Sequence, residues 1–259
     1  MWDDAHEADL RADVYGLGRV AAWARTNIWP KPNLELLPND HWRPFVQRLT
    51  AHDRGERPRG MMRVVKLLQA LLSDPPPKAV DTARSLVAEL SEEDDESALF
   101  SLVRLAIDHS SEADVFLDCV VSMRDDQLLQ IMKKDPKLAM SLISPMRKHL
   151  LRNFGRRDFD DSNQHLRWIF GLTKAAVKLE EYTVLHDASD TLFECEVEWR
   201  RFRQRHLTRA WLEQLRGEPA RIVGEVLRMN HQARKWYLDE GWQPDAGSHN
   251  EIMAALKNG

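Results

Sequence analysis

The chain has 259 residues, 43% apolar and 30% charged, with a net charge of −4 at pH 7 and a pI near 6.2. That composition excludes a disordered chain and leaves room for one large domain or two small ones. A dedicated nonspecific binder of nucleic acid is basic overall, so such a role here would rest on a local patch.

Cys119 and Cys195 form no Cys-x-x-Cys pair and lie near no cluster of histidines. Zinc-finger and disulfide-framework readings fall away, and a reducing compartment fits. The opening Met1-Trp2-Asp3-Asp4 is acidic where a signal peptide carries positive charge. No apolar run nears the roughly 18 residues of a membrane span. A cytoplasmic location is therefore expected. Arginine outnumbers lysine, as a GC-rich bacterial genome would produce.

Apolar spacing is helical almost throughout. Leu10, Val14, Leu17, Ala21 and Ala24 recur at steps of three and four, predicting a helix over 3–28 that Pro30 and Pro32 end. Asn39-Asp40 caps a short helix reaching 53, and the polar stretch 53–60 is a loop. Residues 61–72 are apolar on most sides, so a helix buried in mid-bundle is expected there. Short helices with tight links follow. One starts after Pro77; the next, opened by Ser91 and Asp94 in the manner of a capping box, ends near His109. Ser110-Ser111 caps another, a fourth covers 125–133, and Asp135-Pro136 opens one that Pro145 kinks or divides.

After a polar break at 155–161, a helix over 162–178 precedes one long helix over 180–216, about 55 Å by helical rise. Gly217 and Pro219 end it, a helix over 220–240 returns beside it, and a short one covers 250–256. Nothing alternates with period two, so no sheet is expected. The expected fold is all-α. Residues 1–154 form an irregular helical bundle or HEAT-like α-α stack, and 155–259 a long helical hairpin region packed on it.

The long helix carries an a/d seam of Leu185, Ala188, Leu192, Cys195, Trp199 and Phe202, enough to pack a partner helix of the same chain. Overlapping its end are Arg200, Arg201, Arg203, Arg205 and Arg209 with His206, and no acid stands between Trp199 and Leu212. Arginines beside Trp199, Phe202 and Trp211 suit phosphates and stacked bases, and Arg152, Arg156 and Arg157 would extend the patch. The plainer reading is a solvated helix in which Glu196 pairs with Arg200 and Glu198 with Arg201. Charge is also segregated: fourteen acids stand against four bases over 74–126, and five bases with no acid over 147–157. These regions attract one another within the fold or face different partners. Of the nine tryptophans, Trp23, Trp168, Trp199 and Trp211 fall on apolar stripes, whereas Trp29, Trp42, Trp236 and Trp242 flank loops. Trp236 and Trp242 are the candidate contact residues.

Catalytic and metal motifs are wanting. Gly16 and Gly18 lie inside a helix with no preceding strand, so they cradle no phosphate. Asp158, Asp160 and Ser162 imitate a calcium loop, but Asn163 and Ile169 stand where its glycine and bidentate glutamate belong. His186, Asp190 and Glu194 share one helical face, a metal-capable stripe or simply a polar one. No cofactor, metal or small-molecule substrate is expected. An Arg-x4-His pattern occurs at Arg104/His109 and at Arg201/His206. It resembles the short signature of the HEPN ribonuclease superfamily, which implies paired helical bundles bringing Arg and His onto a scissile phosphate. Leu105 and Phe202 follow the arginines where that superfamily carries a polar residue. The expectation is thus a non-enzymatic protein–protein interaction module, an adaptor, inhibitor or subunit of a larger assembly. A nucleic-acid-binding subunit comes second and a HEPN-like ribonuclease third.

Overall fold

The computed structural model describes residues 10–29, 31, 36–73, 78–92, 95–152, 159–239, 242 and 250–257. Among them the regular structure is entirely helical, with no strand, as the apolar spacing predicts. The chain divides into two compact units, Met1–His109 and Ser110–Gly259. The break expected at 154–155, with Arg156, Arg157 and Asp158, lies outside the described residues.

The first unit holds α1 (Leu10–Thr26), α2 (Arg43–Leu49), α3 (Met61–Leu71), α4 (Ala79–Glu92) and α5 (Glu96–Asp108). Its core gathers Val14, Ala22, Phe45, Val46, Leu49 and Val64. The face that α1 buries is Val14, Gly18 and Ala22, one residue per turn. The larger Leu10 and Leu17 of the expected stripe are exposed, as is Trp23. Close approach explains the reversal: a Cβ on Gly18 would stand 2.7 Å from Leu49 Cβ and 2.8 Å from Thr50 Cγ2. Small side chains are what let α1 reach α2. Gly18→Ala should therefore lower stability by a net of about 1–2 kcal/mol, overpacking outweighing the better helix propensity of alanine. A rise in the urea midpoint of the variant would refute the tight approach.

Residues 61–72 also depart from expectation. Helix α3 buries only Val64, while Met61, Met62, Val65 and Leu72 face solvent and Leu67, Leu68 and Leu71 lean on the core. It lies at the rim of its unit, not in mid-bundle. The cap of α5 is Asp95, whose carboxylate accepts from Ser97 N at 3.0 Å. Ser91 instead turns back within α4 and donates to Val87 O.

In the second unit, a π-helical turn (Val115–Cys119) and a 3-10 turn (Val120–Ser122) lead into α6 (Asp125–Lys134), α7 (Pro136–Arg152) and α8 (Phe159–Leu179). Then come α9 (Tyr182–Trp199), α10 (Phe202–Gln214), α11 (Gly217–Met229), α12 (His231–Leu238) and α13 (Asn250–Lys257). Helix α7 passes through Pro145 undivided. Helix α9 is the axis of the unit, flanked by α7, α8, α11 and α12. The arrangement is an irregular bundle around a central helix. Leu185, Ala188, Leu192, Cys195 and Trp199 of the seam are buried along α9, and Phe202 lies beyond it, half exposed.

The long helix over 180–216 does not form. Arg200 adopts the left-handed conformation (φ 49°, ψ 50°) and ends α9, and α10 starts anew at Phe202. A non-glycine residue there costs roughly 1–2 kcal/mol, which the packing of α10 must offset. The returning helix over 220–240 is likewise two pieces, with Asn230 capping α12 through its side chain onto Ala233 N at 2.9 Å.

Candidate functional site

The break at Arg200 decides the fate of the arginine cluster. On a continuous helix the five arginines would spread around the surface; on a reset α10, Arg205 and Arg209 point inward. Arg205 has no solvent exposure. Its guanidinium packs against the rings of both Phe202 and Trp236, 4.7 and 4.5 Å from their centroids, and the two rings also meet each other at 5.2 Å. Nη1 donates to Trp236 O at 3.3 Å and to Asp239 Oδ2 at 3.2 Å. Arg209 donates from Nε and Nη2 to Tyr237 O and from Nη2 to Asp239 O, closing the C-terminal end of α12. Trp242 lies over Arg209 and donates from Nε1 to Glu213 Oε1 at 3.2 Å. Both candidate contact tryptophans are half-buried and used inside the fold. Of the predicted cluster, Arg200, Arg203 and His206 remain exposed, and Arg201 is half-buried ahead of α10.

Behind the arginines sits a fully buried carboxylic acid. Glu196 accepts from Thr208 Oγ1 and from Tyr237 OH (2.9 Å), joining α9, α10 and α12. It does not pair with Arg200. Burial raises its pKa from 4.5 to about 7, against the downward pull of these hydrogen bonds and of the nearby Arg205 charge. Burial likewise pushes the Cys195 thiol well above its ordinary range, so it is no nucleophile.

The metal-capable stripe on α9 is an ion-pair network. Arg147 of α7 meets Asp190 at 2.7 Å and Glu194 at 2.5 Å, and His186 meets Asp187 at 2.9 Å. No group of three His, Cys, Asp or Glu among the described residues could hold a metal. Part of the segregated charge is thus settled locally, as Lys174–Asp125 at 2.6 Å also shows.

The first unit holds a feature that sequence reasoning missed: a cleft of about 320 Å³ between α2, α3, α4 and α5. Phe45, Leu67, Leu71, Leu86 and Leu105 supply apolar wall, and Arg48 and Arg104 the charge. Arg48 is 95% buried; its Nε donates to Ser97 Oγ at 3.1 Å and Nη2 to Glu89 Oε2 at 2.8 Å. Arg104 donates from Nη2 to Glu56 Oε2 at 2.7 Å. His109, its Arg-x4-His companion, lines the same cleft. The available signal was Arg48 itself, a charge set between Val46 and Leu49 on the buried face of α2.

No helix among the described residues is long and apolar enough to cross a membrane. Compared with family models, curated proteins and solved structures, the chain matches none.

Proposed function

We propose that the protein is a non-enzymatic interaction module, an adaptor, inhibitor or subunit of a larger intracellular assembly, whose contact face lies on the first unit. The supporting observation is the apolar surface of α1 and α3. Leu17, Val20 and Trp23 follow one another at steps of three along α1, and Trp29, 69% exposed, stands just beyond with its ring edge-on to Trp23. On α3, Met62 is 74% exposed, with Val65 one turn on. A folded monomer exposes scattered apolar residues, but whole helix faces of Trp, Met and Val have the composition of a contact surface.

The test is a Val20→Glu, Trp29→Ser, Met62→Glu variant. These positions are exposed, so the thermal midpoint should hold while the stoichiometric partner that co-purifies with the wild-type chain from its native host is lost. Reconstitution from the two purified proteins should show the same loss. A variant that still binds the partner would overturn the assignment.

A further inference from the structure

Beyond any protein contact, the cleft between α2, α3, α4 and α5 has the makings of a small-molecule site. We propose that it binds a small monocarboxylate with an apolar body, the carboxylate being taken by Arg48 and Arg104.

Volume is the first argument. About 320 Å³ falls at the lower end of the range for small-molecule pockets, and the mostly apolar wall with a few polar groups is their usual lining.

Unspent donors are the second. A guanidinium carries five N–H groups. Arg48 uses Nε and Nη2 on Ser97 and Glu89, leaving Nη1 with no partner among the described residues, and Nη1 is not one of the sealed, unpartnered atoms among them. For a side chain so deeply buried on the wall of a cleft, the accessible space is the cleft. Arg104 leaves Nε and Nη1 without a partner among the described residues, its side chain being 30% exposed. Arginine forks match the planar geometry of a carboxylate.

Charge selects the kind of anion. Besides the two arginines the lining includes one carboxylate, Asp108, one turn from Arg104 on α5. Glu89 already engages Arg48 and Glu56 engages Arg104, so little positive charge is left over and the spare N–H groups are what the cleft offers an anion. That favours the smallest negative charge, a single carboxylate; a dianionic phosphate would meet an uncompensated repulsion from Asp108. Phe45 and the leucines give the rest of the molecule an apolar bed.

Calorimetric titration of the full chain with octanoate and with octanamide tests this. Octanoate should bind saturably and at least tenfold tighter than the neutral amide, and should raise the thermal midpoint. Ala70→Phe places a ring into the cleft from an exposed position on α3 and should abolish binding of both probes. An Arg104→Met, Glu56→Gln double variant removes a salt bridge without stranding the buried glutamate, and should reduce the preference for octanoate over octanamide at least threefold, Arg48 alone being left to take the carboxylate. Equal affinity for the two probes would overturn the role of the arginines. Binding that survives Ala70→Phe, or no binding by the wild-type chain, would overturn the site.

Discussion

Arg205→Ala should cost the second unit about 3–5 kcal/mol, the largest effect of any single substitution in the exposed-looking stretch 200–209. Arg205 heads the largest fully buried side chains among the described residues. Its loss would open a cavity beside Phe202 and Trp236, remove two charge-assisted hydrogen bonds, and withdraw a positive charge that acts on Glu196. Arg205→Lys should recover only part of this, because a compact ammonium cannot stack on the rings as a planar guanidinium does. Urea unfolding followed by tryptophan emission measures it, since Trp168, Trp199, Trp211 and Trp236 of the same unit lose their surroundings as it unfolds. A midpoint shift worth less than about 1 kcal/mol would mean that the packing of Arg205 on the rings contributes little. The result also governs how polyanion binding is tested. An alanine variant that includes Arg205 or Arg209 reports on folding. Arg200, Arg203 and His206, which face solvent, are the positions whose removal reports on binding.

The second large effect is a pH dependence set by Glu196. Its folded pKa, about 7, lies above the ordinary value of 4.5, so the folded state holds a proton that the unfolded state releases. Between pH 4.5 and 7 the unfolded chain therefore binds fewer protons, and stability falls as pH rises. The contribution is fully present below pH 4.5 and lost on passing 7. At 1.36 kcal/mol per unit the whole change is about 3 kcal/mol. Glu196→Gln keeps the shape, and both hydroxyls can turn to meet an amide. It should remove this slope. The difference between wild-type and variant stabilities, taken from pH 5 to pH 8, isolates the group from every other titration. Parallel curves would show that Glu196 titrates as an ordinary surface carboxylate.

Much of the helical plan was legible because apolar periodicity survives wherever a helix buries carbon. The α9 seam from Leu185 to Trp199 is an instance. Helix α10 was illegible for the complementary reason: its buried face includes Gln204, Arg205, Thr208 and Arg209, residue types that ordinarily stay outside. Periodicity counts carbon and misses a core made of hydrogen bonds. The break at Arg200 had no herald either, since neither Gly nor Pro stands there and an arginine seldom turns left-handed. Size misled in α1, where the stripe of large residues was followed while Gly18 and Ala22 made the contact. The cleft belonged to no motif, being assembled from four helices that only the fold brings together.

Arg209 closes the end of α12 with donors that come from 28 residues upstream. That arrangement makes the last helices a lid on two buried cations. A fragment ending at Asn230 would strip away the Tyr237 and Asp239 carbonyls, the Trp236 ring and the Asp239 carboxylate together. Both guanidiniums would then lose these partners and be uncovered on the side that the last helices close in the whole chain. Such a fragment would acquire an affinity for polyanions created by the cut, so shortened forms of this protein would counterfeit a nucleic-acid binder.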